Sequence, residues 1–526
     1  MNKPVLRVRR PRRLWLWITL ALIASGSELR SAERAIEVRF SPTVHDRPFT
    51  GRVYVFFSRT KVQEPRLGPD WFFPEPFIAR DVKEWKPGEP LVFSNELSDE
   101  VLGFPVPFAK MSIERNRAQA VVRFNPLARE VGVGPGNGFS APITLAKPKE
   151  GQPPQERVTL LVDQKVVERP FPEERWCKLL RVKSAMLSKF HGRDVYLQGA
   201  VTLPASYFKE TNRRYPTIFN IPGFGGTHRQ GYSSSPVEER NPSGVEFLRV
   251  VLDPSCPLGH HVFADSDNNG PVGTAFVEEF LPEFDKQYRS VADPRARFLT
   301  GHSSGGWGSL WLQVSQPDHF GGTWSTAPDP VDFRDFQRID LYAPNQNMYV
   351  DPAGKARPLA RHGDEVLLTY RNFADMEWVL GPGGQLHSFE AVFSRRGSDG
   401  RPALLWDRKT GAVNPEVAKS WERYDIRLVL ERNWKTLGSK LAGKLHIHTG
   451  SIDTFYLEGA VALLKKSLEQ LGSDAVVEIH PGEDHSSLMT PMLMHQITSE
   501  MAARFAVAFP DQVKKPAVKE SKVKVK

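Results

Sequence analysis

Residues 298–310 read FLTGHSSGGWGSL, an apolar run that breaks into glycines and serines and then turns apolar again. The part before the break, ARFLTG (296–301), has strand character; the part after it, SSGGWGSLWLQVSQ, has helical character as far as Pro317. Between them Gly301, Ser303 and Gly305 stand at the spacing G-x-S-x-G. A residue on so sharp a strand-to-helix turn leaves no room for side chains two positions away. Glycine at both offsets relieves the crowding and exposes the hydroxyl. The helix that follows offers backbone N–H groups and a favourable dipole to developing negative charge. Ser303 is therefore the expected nucleophile, whereas Ser304 does not have a glycine at each of the two offsets.

Working outward, strand and helix patterns alternate from about residue 195. VYLQGAVTLP (195–204), YPTIFNIP (215–222), FLRVVLD (247–253), GGTWSTAP (321–328), KLHIHTG (444–450) and AVVEIHPG (475–482) read as strands. GTAFVEEFLPEFDKQY (273–288) and YLEGAVALLKKSLEQLG (456–472) read as helices. Such alternation predicts an α/β fold with a doubly wound, mostly parallel sheet. Residues 329–443 interrupt the rhythm, and they are expected to form a cap-like insertion over the carboxyl edge of the sheet, where sites in such folds lie.

A serine nucleophile needs a base and an acid, expected after late strands in the order Ser, Asp or Glu, His. Asp453 follows the strand KLHIH and His485 follows AVVEIH. His485 would take the Ser303 proton and return it to the leaving alcohol, and Asp453 would orient the imidazole. Asp329 and Asp332, in APDPVDF, are rival acids. Asp484 and Glu483 stand too close to His485 in sequence to be preferred, and His480 reads as a strand residue. The oxyanion donors expected are the amide of Ser304 and that of Phe224 or Gly225, in the loop GFGGTHRQGY (223–232). His446 and His448 share one strand face, but no third ligand at a metal-site spacing accompanies them. No metal and no cofactor is expected. GVGPGNG (132–138) lacks phosphate-loop spacing and reads as a turn, and DSDNNGPVG (265–273) is a polar loop that either borders the cleft or serves as a loop only.

The first third differs. AIEVRF (35–40), GRVYVFF (51–57), QAVVRF (119–124) and RVTLLV (157–162) are short β runs separated by Pro- and Gly-rich stretches such as RLGPDWFFPEP, which suggests a β-sandwich. At the amino end a basic segment precedes LWLWITLALIA (14–24) and the small-residue site RSA, the pattern of a secretory signal peptide over 1–32. The apolar run is short for a stable membrane span. The net charge of +9 resides in this leader and in the lysine tail 511–526, read as disordered; the remainder is slightly negative, which gives no support to nucleic-acid binding. Cys177 and Cys256, the two cysteines, could form one disulfide in an exported protein or stand as two separate thiols.

IPGFGG, FLTGHSSGGWGSL, GSIDTFYL and GEDHSSL, in that order, resemble the putative-esterase branch of the α/β-hydrolases, with its enterochelin-esterase-like and feruloyl-esterase-like enzymes. The likeness covers roughly 185–508, broken by the insertion. It implies a hydrolase domain over 171–510 after an Ig-like sandwich over 33–170, as in some exported bacterial members. It also implies carboxylic-ester hydrolysis through an acyl-enzyme, with Ser303, Asp453 and His485 as triad. The expected function is an exported serine esterase, periplasmic or secreted, acting on a small-molecule or saccharide ester. Acyl transfer on the same triad and a non-catalytic surface-binding protein retaining the fold are the alternatives. Acyl group, alcohol and oligomeric state are not legible.

Overall fold

The computed structural model describes residues 35–513 apart from 61, 98 and 147–156, so the leader and most of the lysine tail lie outside it. The second half is built on one eight-stranded sheet. Its strands run, edge to edge, Cys177–Lys183, Tyr196–Thr202, Leu248–Leu252, Thr217–Ile221, Arg297–His302, Gly322–Thr326, Leu445–Gly450 and Val476–His480. The first two pairings are antiparallel and the other five parallel. In chain order this is 1-2-4-3-5-6-7-8, so the order reverses around the strands that flank Thr217–Ile221. Parallel neighbours need crossovers, and helices on both faces supply them. Leu299 and Phe219 face one helical layer, with Phe276, Phe280 and Phe284. Phe298 and Ile218 face another, with Ile497, Met501 and Phe505. Strands buried on both faces explain why their sequences are apolar runs without clean alternation.

The interruption at 329–443 holds a hairpin, Pro358–His362 with Glu365–Thr369, and the helices Tyr370–Leu380 and Gln385–Phe393. Its end differs from the sequence reading. The helix Ile426–Leu441 is the crossover that returns the chain from Gly322–Thr326 to its parallel neighbour Leu445–Gly450, and it packs on the helix Ser304–Ser315. The inserted part therefore ends before Ile426.

The amino-terminal third forms a nine-stranded sheet with one continuous hydrogen-bonded path from Leu91–Ser94 to Val101–Phe104. It is antiparallel except where Ala35–Phe40 lies parallel to Val158–Lys165. The strand Phe49–Ser58 shows how it is buried. Val53, Val55 and Phe57 point into the sheet's own core, where Phe40 and Val162 from one end of the path meet Ile78 and Val101 from the other. Tyr54 and Phe56 point the opposite way, into a core shared with Phe373, Met376 and Val379 of the inserted helix. The seam carries polar ties as well: Tyr54 Oη donates to Leu380 O at 2.7 Å, and Arg52 Nη1 to Trp378 O at 2.8 Å.

Of the two readings open for the cysteines, the structure has the unpaired one. Both thiols are free. Cys177 Sγ lies 3.4 Å from Gly231 O, and Cys256 Sγ donates toward Asn269 Oδ1 at 3.6 Å. Burial pushes the Cys256 thiol up to about 12, which makes it an inert side chain. Among the described residues, no helix is long and apolar enough to cross a membrane.

Candidate active site

Ser303 sits where Arg297–His302 ends and Ser304–Ser315 begins, with φ 59° and ψ −126°. This backbone region is strained for any residue with a side chain, and it is held by its bonds. Ser303 N donates to Thr326 O at 3.0 Å, and Ser303 O accepts from Trp307 N at 3.0 Å and Asp329 N at 3.3 Å. The flanking glycines are required by backbone rather than by side-chain crowding. A Cβ on Gly301 would lie 2.1 Å from Gly305 O, and one on Gly305 1.9 Å from Ile221 O. The turn can close only because both are glycine, and Ser303 is left half exposed.

Asp453 and His485 come together in the loops that follow the last two strands. His485 Nδ1 lies 2.7 Å from Asp453 Oδ2, with the aspartate fully buried and the histidine nearly so. Asp453 Oδ1 accepts from Phe455 N at 2.8 Å and its carbonyl accepts from Arg361 Nε at 3.0 Å, which fixes the loop. The His485 ring is 4.5 Å from that of His302, the residue before the serine, and 4.9 Å edge-on from Phe455. Burial pulls the imidazole pKa down, but the charge and hydrogen bond of Asp453, with help from Asp329, hold it above the ordinary histidine value. His302 is driven down to about 3 by burial and by His485, so it is neutral.

The rival acids have other partners. Asp329 Oδ2 accepts from Ser304 Oγ at 2.5 Å and from Gln385 Nε2, on the inserted helix, at 3.3 Å. Burial raises its carboxyl to about 6. Asp332 caps Arg334 N and pairs with Arg334 and Arg427. Asp484 accepts from Ser486 N and Ser487 N within its own loop. Glu483 offers its backbone carbonyl, to Ile452 N.

Among the oxyanion candidates, Ser304 is the first residue of its helix, so its amide has no carbonyl one turn back to bond. Phe224 and Gly225 are the central residues of a turn closed by Gly226 N to Gly223 O at 3.0 Å, with φ 87° at Gly225. This turn passes directly over the serine: a Cβ on Gly223 would lie 3.3 Å from Ser303 Cβ.

Sequence reasoning missed the wall around this centre. Trp71, from the loop between Phe49–Ser58 and Phe77–Trp85, packs its ring 5.5 Å from Phe224, 5.0 Å from Phe373 and 6.5 Å from Phe455. Phe72 stacks on Phe455 at 6.2 Å. Arg129, from the loop between Arg117–Val122 and Gly138–Ser140, lies 5.0 Å over Phe224 and donates to Gly225 O at 3.3 Å. Three regions of the chain thus meet in one aromatic cluster beside His485. The signal was the aromatic triplet WFF in a Pro- and Gly-rich loop, read only as a separator. The loop 265–273 turns inward instead, with Asn268 Nδ2 bonded to Ala391 O and Ser394 O of the insertion. His446 stacks flat on Trp324 at 4.4 Å, while His448 turns to His480 on the neighbouring strand.

The strand order, with a strained serine at the turn after the fifth strand, defines an α/β-hydrolase. Residues 193–486, more than half of the chain, match the family described as "Putative esterase", and the chain belongs to that family. It is a hydrolase of the esterase type. Similar solved structures include a ferulic acid esterase, with 14% identity over 63% of this chain and 99% of that one and a TM-score of 0.39. An S-formylglutathione hydrolase from Agrobacterium tumefaciens shows 15% identity over 62% and 95%, with a TM-score of 0.37. A CE1 ferulic acid esterase from Anaeromyces mucronatus shows 14% over 65% and 95%, with a TM-score of 0.33. No curated protein matches the chain significantly.

Proposed function

We propose that this esterase cleaves a carboxylic ester through an acyl-enzyme on Ser303. The observation that carries the proposal is the 2.7 Å contact of His485 Nδ1 with buried Asp453, on an imidazole whose ring lies 4.5 Å from that of His302, the residue before a serine held at positive φ. Asp453 fixes the tautomer that leaves Nε2 free to accept a proton. Ser303 Oγ attacks the ester carbonyl carbon as its proton passes to His485 Nε2. The amide of Ser304 and that of Phe224 or Gly225 hold the oxyanion. Collapse of the tetrahedral intermediate breaks the acyl–oxygen bond, and His485 returns the proton to the departing alcohol. Water then attacks the acyl-enzyme by the same route, releasing the acid and free Ser303.

The basic, apolar and small-residue leader over 1–32 supports export to the periplasm or beyond, and the amino-terminal sheet is read as an Ig-like β-sandwich module. The Trp71, Phe224, Phe373 and Phe455 rings suit an ester with a flat aromatic acyl group, and the substrate proposed is a saccharide carrying such a group. The test is fluorophosphonate labelling of wild type, Ser303→Ala and His485→Ala, followed by a screen of acylated saccharides. Labelling in wild type alone is expected. A folded wild type that does not label, or label retained in Ser303→Ala, overturns the assignment.

A further inference from the structure

A second cluster lies at the outer edge of the catalytic sheet, away from the serine. His448 stands on Leu445–Gly450 directly opposite Glu478 on Val476–His480, and His480 follows two residues on, on the same strand face as Glu478. His448 Nδ1 lies 3.2 Å from His480 Nε2 and 3.4 Å from Glu478 Oε2, and His480 Nε2 lies 3.6 Å from that same oxygen. Three ligand-type atoms from three side chains thus form a nearly equilateral triangle. His446, the strand-mate of His448, takes no part: it is stacked on Trp324, and its Nε2 is 3.3 Å from Gly443 O.

A hydrogen bond accounts for one edge of such a triangle and leaves lone pairs facing one another across the rest. A divalent ion satisfies all three edges together. Bonds of about 2.0–2.1 Å in tetrahedral geometry place ligand atoms about 3.3–3.4 Å apart, and the observed edges scatter around that value. Two imidazoles and one carboxylate suit zinc, and the three ligands leave a fourth position for water. Access is from one side. The His448 side chain is fully buried, whereas those of His480 and Glu478 are 27% and 45% exposed.

We infer that His448, Glu478 and His480 form a binding site for a divalent transition metal, with zinc the preferred ion and water as its fourth ligand. The ion clamps the last two strands of the sheet at the point where each gives way to a catalytic loop. Asp453 lies five residues after His448, and His485 five residues after His480. The loops already interlock through Ser451 N to His480 O at 2.9 Å and Gly482 N to Ser451 Oγ at 2.9 Å. The ion is a structural staple beneath them and takes no part in ester cleavage.

The test uses the full chain stripped with a chelator and titrated with Co²⁺ at neutral pH, followed by displacement with Zn²⁺. One equivalent is expected to develop visible absorption of tetrahedral intensity, to be displaced by Zn²⁺, and to raise the melting temperature. Glu478→Gln and His480→Asn are each expected to weaken binding by more than about tenfold. His495→Gln, which removes an exposed histidine of the adjacent helix, leaves binding unchanged. Glu478 is half exposed, so its variant retains the fold, checked by its circular dichroism. The inference is overturned by the absence of saturable one-to-one binding in wild type, or by binding that survives both ligand substitutions.

Discussion

Asp329 offers a quantitative test, because the structure makes it both costly and useful. Its carboxylate is buried beside the serine turn, and its pKa rises from the ordinary 3.8 to about 6. A displacement of about two pH units corresponds to ~3 kcal/mol. The sign follows from proton uptake: between those two values the folded protein holds a proton that the unfolded chain has released. The stability given by the neutral carboxyl is complete below about 3.8 and lost as pH rises through about 6. Asp329→Asn cannot ionise and escapes that loss. It also retains partners, since the carbonyl oxygen of the substituted side chain can accept from Ser304 Oγ, and Gln385 Oε1, buried without a hydrogen bond, can accept from the new amide. Urea unfolding of both proteins at pH 4 and pH 8 isolates the effect. The variant is expected to match wild type at pH 4 and to exceed it by up to ~3 kcal/mol at pH 8. A stability difference that does not grow between the two pH values refutes the reasoning.

Other perturbations separate the parts of the site. Asp453→Asn keeps the shape but loses the charge that fixes His485, and kcat is expected to fall by about 10⁴-fold with the fold intact by circular dichroism. Because His485 must be neutral to act as base and its pKa is held above 6.5, kcat/KM falls as pH drops through a value above 6.5; an acid limb below 6.5 contradicts this. Gly305→Ala puts a methyl group 1.9 Å from Ile221 O, so destabilisation beyond ~3 kcal/mol is expected in the same unfolding assay. Trp71→Ala is expected to raise KM for ring-bearing esters while leaving kcat for a small acetyl ester within about twofold, because the indole packs on the rings of Phe224, Phe373 and Phe455 rather than carrying a proton or a charge.

What could be read from the sequence was what local sterics impose. The serine turn needs glycine at Gly301 and Gly305 whatever surrounds it, so the pattern shows in five residues. Asp453 and His485 were legible because late strands announce the loops that carry them. The choice among Asp329, Asp332 and Asp453 depends on which loops the sheet order brings together, and composition does not encode that. The same holds for His448 and His480, whose meeting needs the register of two strands whose members here lie 32 residues apart. Trp71 was illegible for another reason. A loop sequence shows that it turns, but not which surface it turns toward. The crossover helix Ile426–Leu441 merged with the insertion because short helical pieces, Pro415–Ser420 and Trp421–Arg423, run almost directly into it, and the sequence marks no boundary between them.

The alternation along Phe49–Ser58, with Tyr54 and Phe56 committed to one core and Val53, Val55 and Phe57 to another, bears on how the chain comes apart. Along Val53–Ser58 both faces of the strand are buried, so there the sheet has no wet side on which to separate from its neighbour. The segment matched by the esterase family is therefore not a unit that can be excised: cutting before residue 193 strips the edge strand Cys177–Lys183 and bares the apolar flank of the inserted helix. The packed unit is larger than the segment matched by the family, because Tyr54 and Phe56 share one core with Phe373, Met376 and Val379.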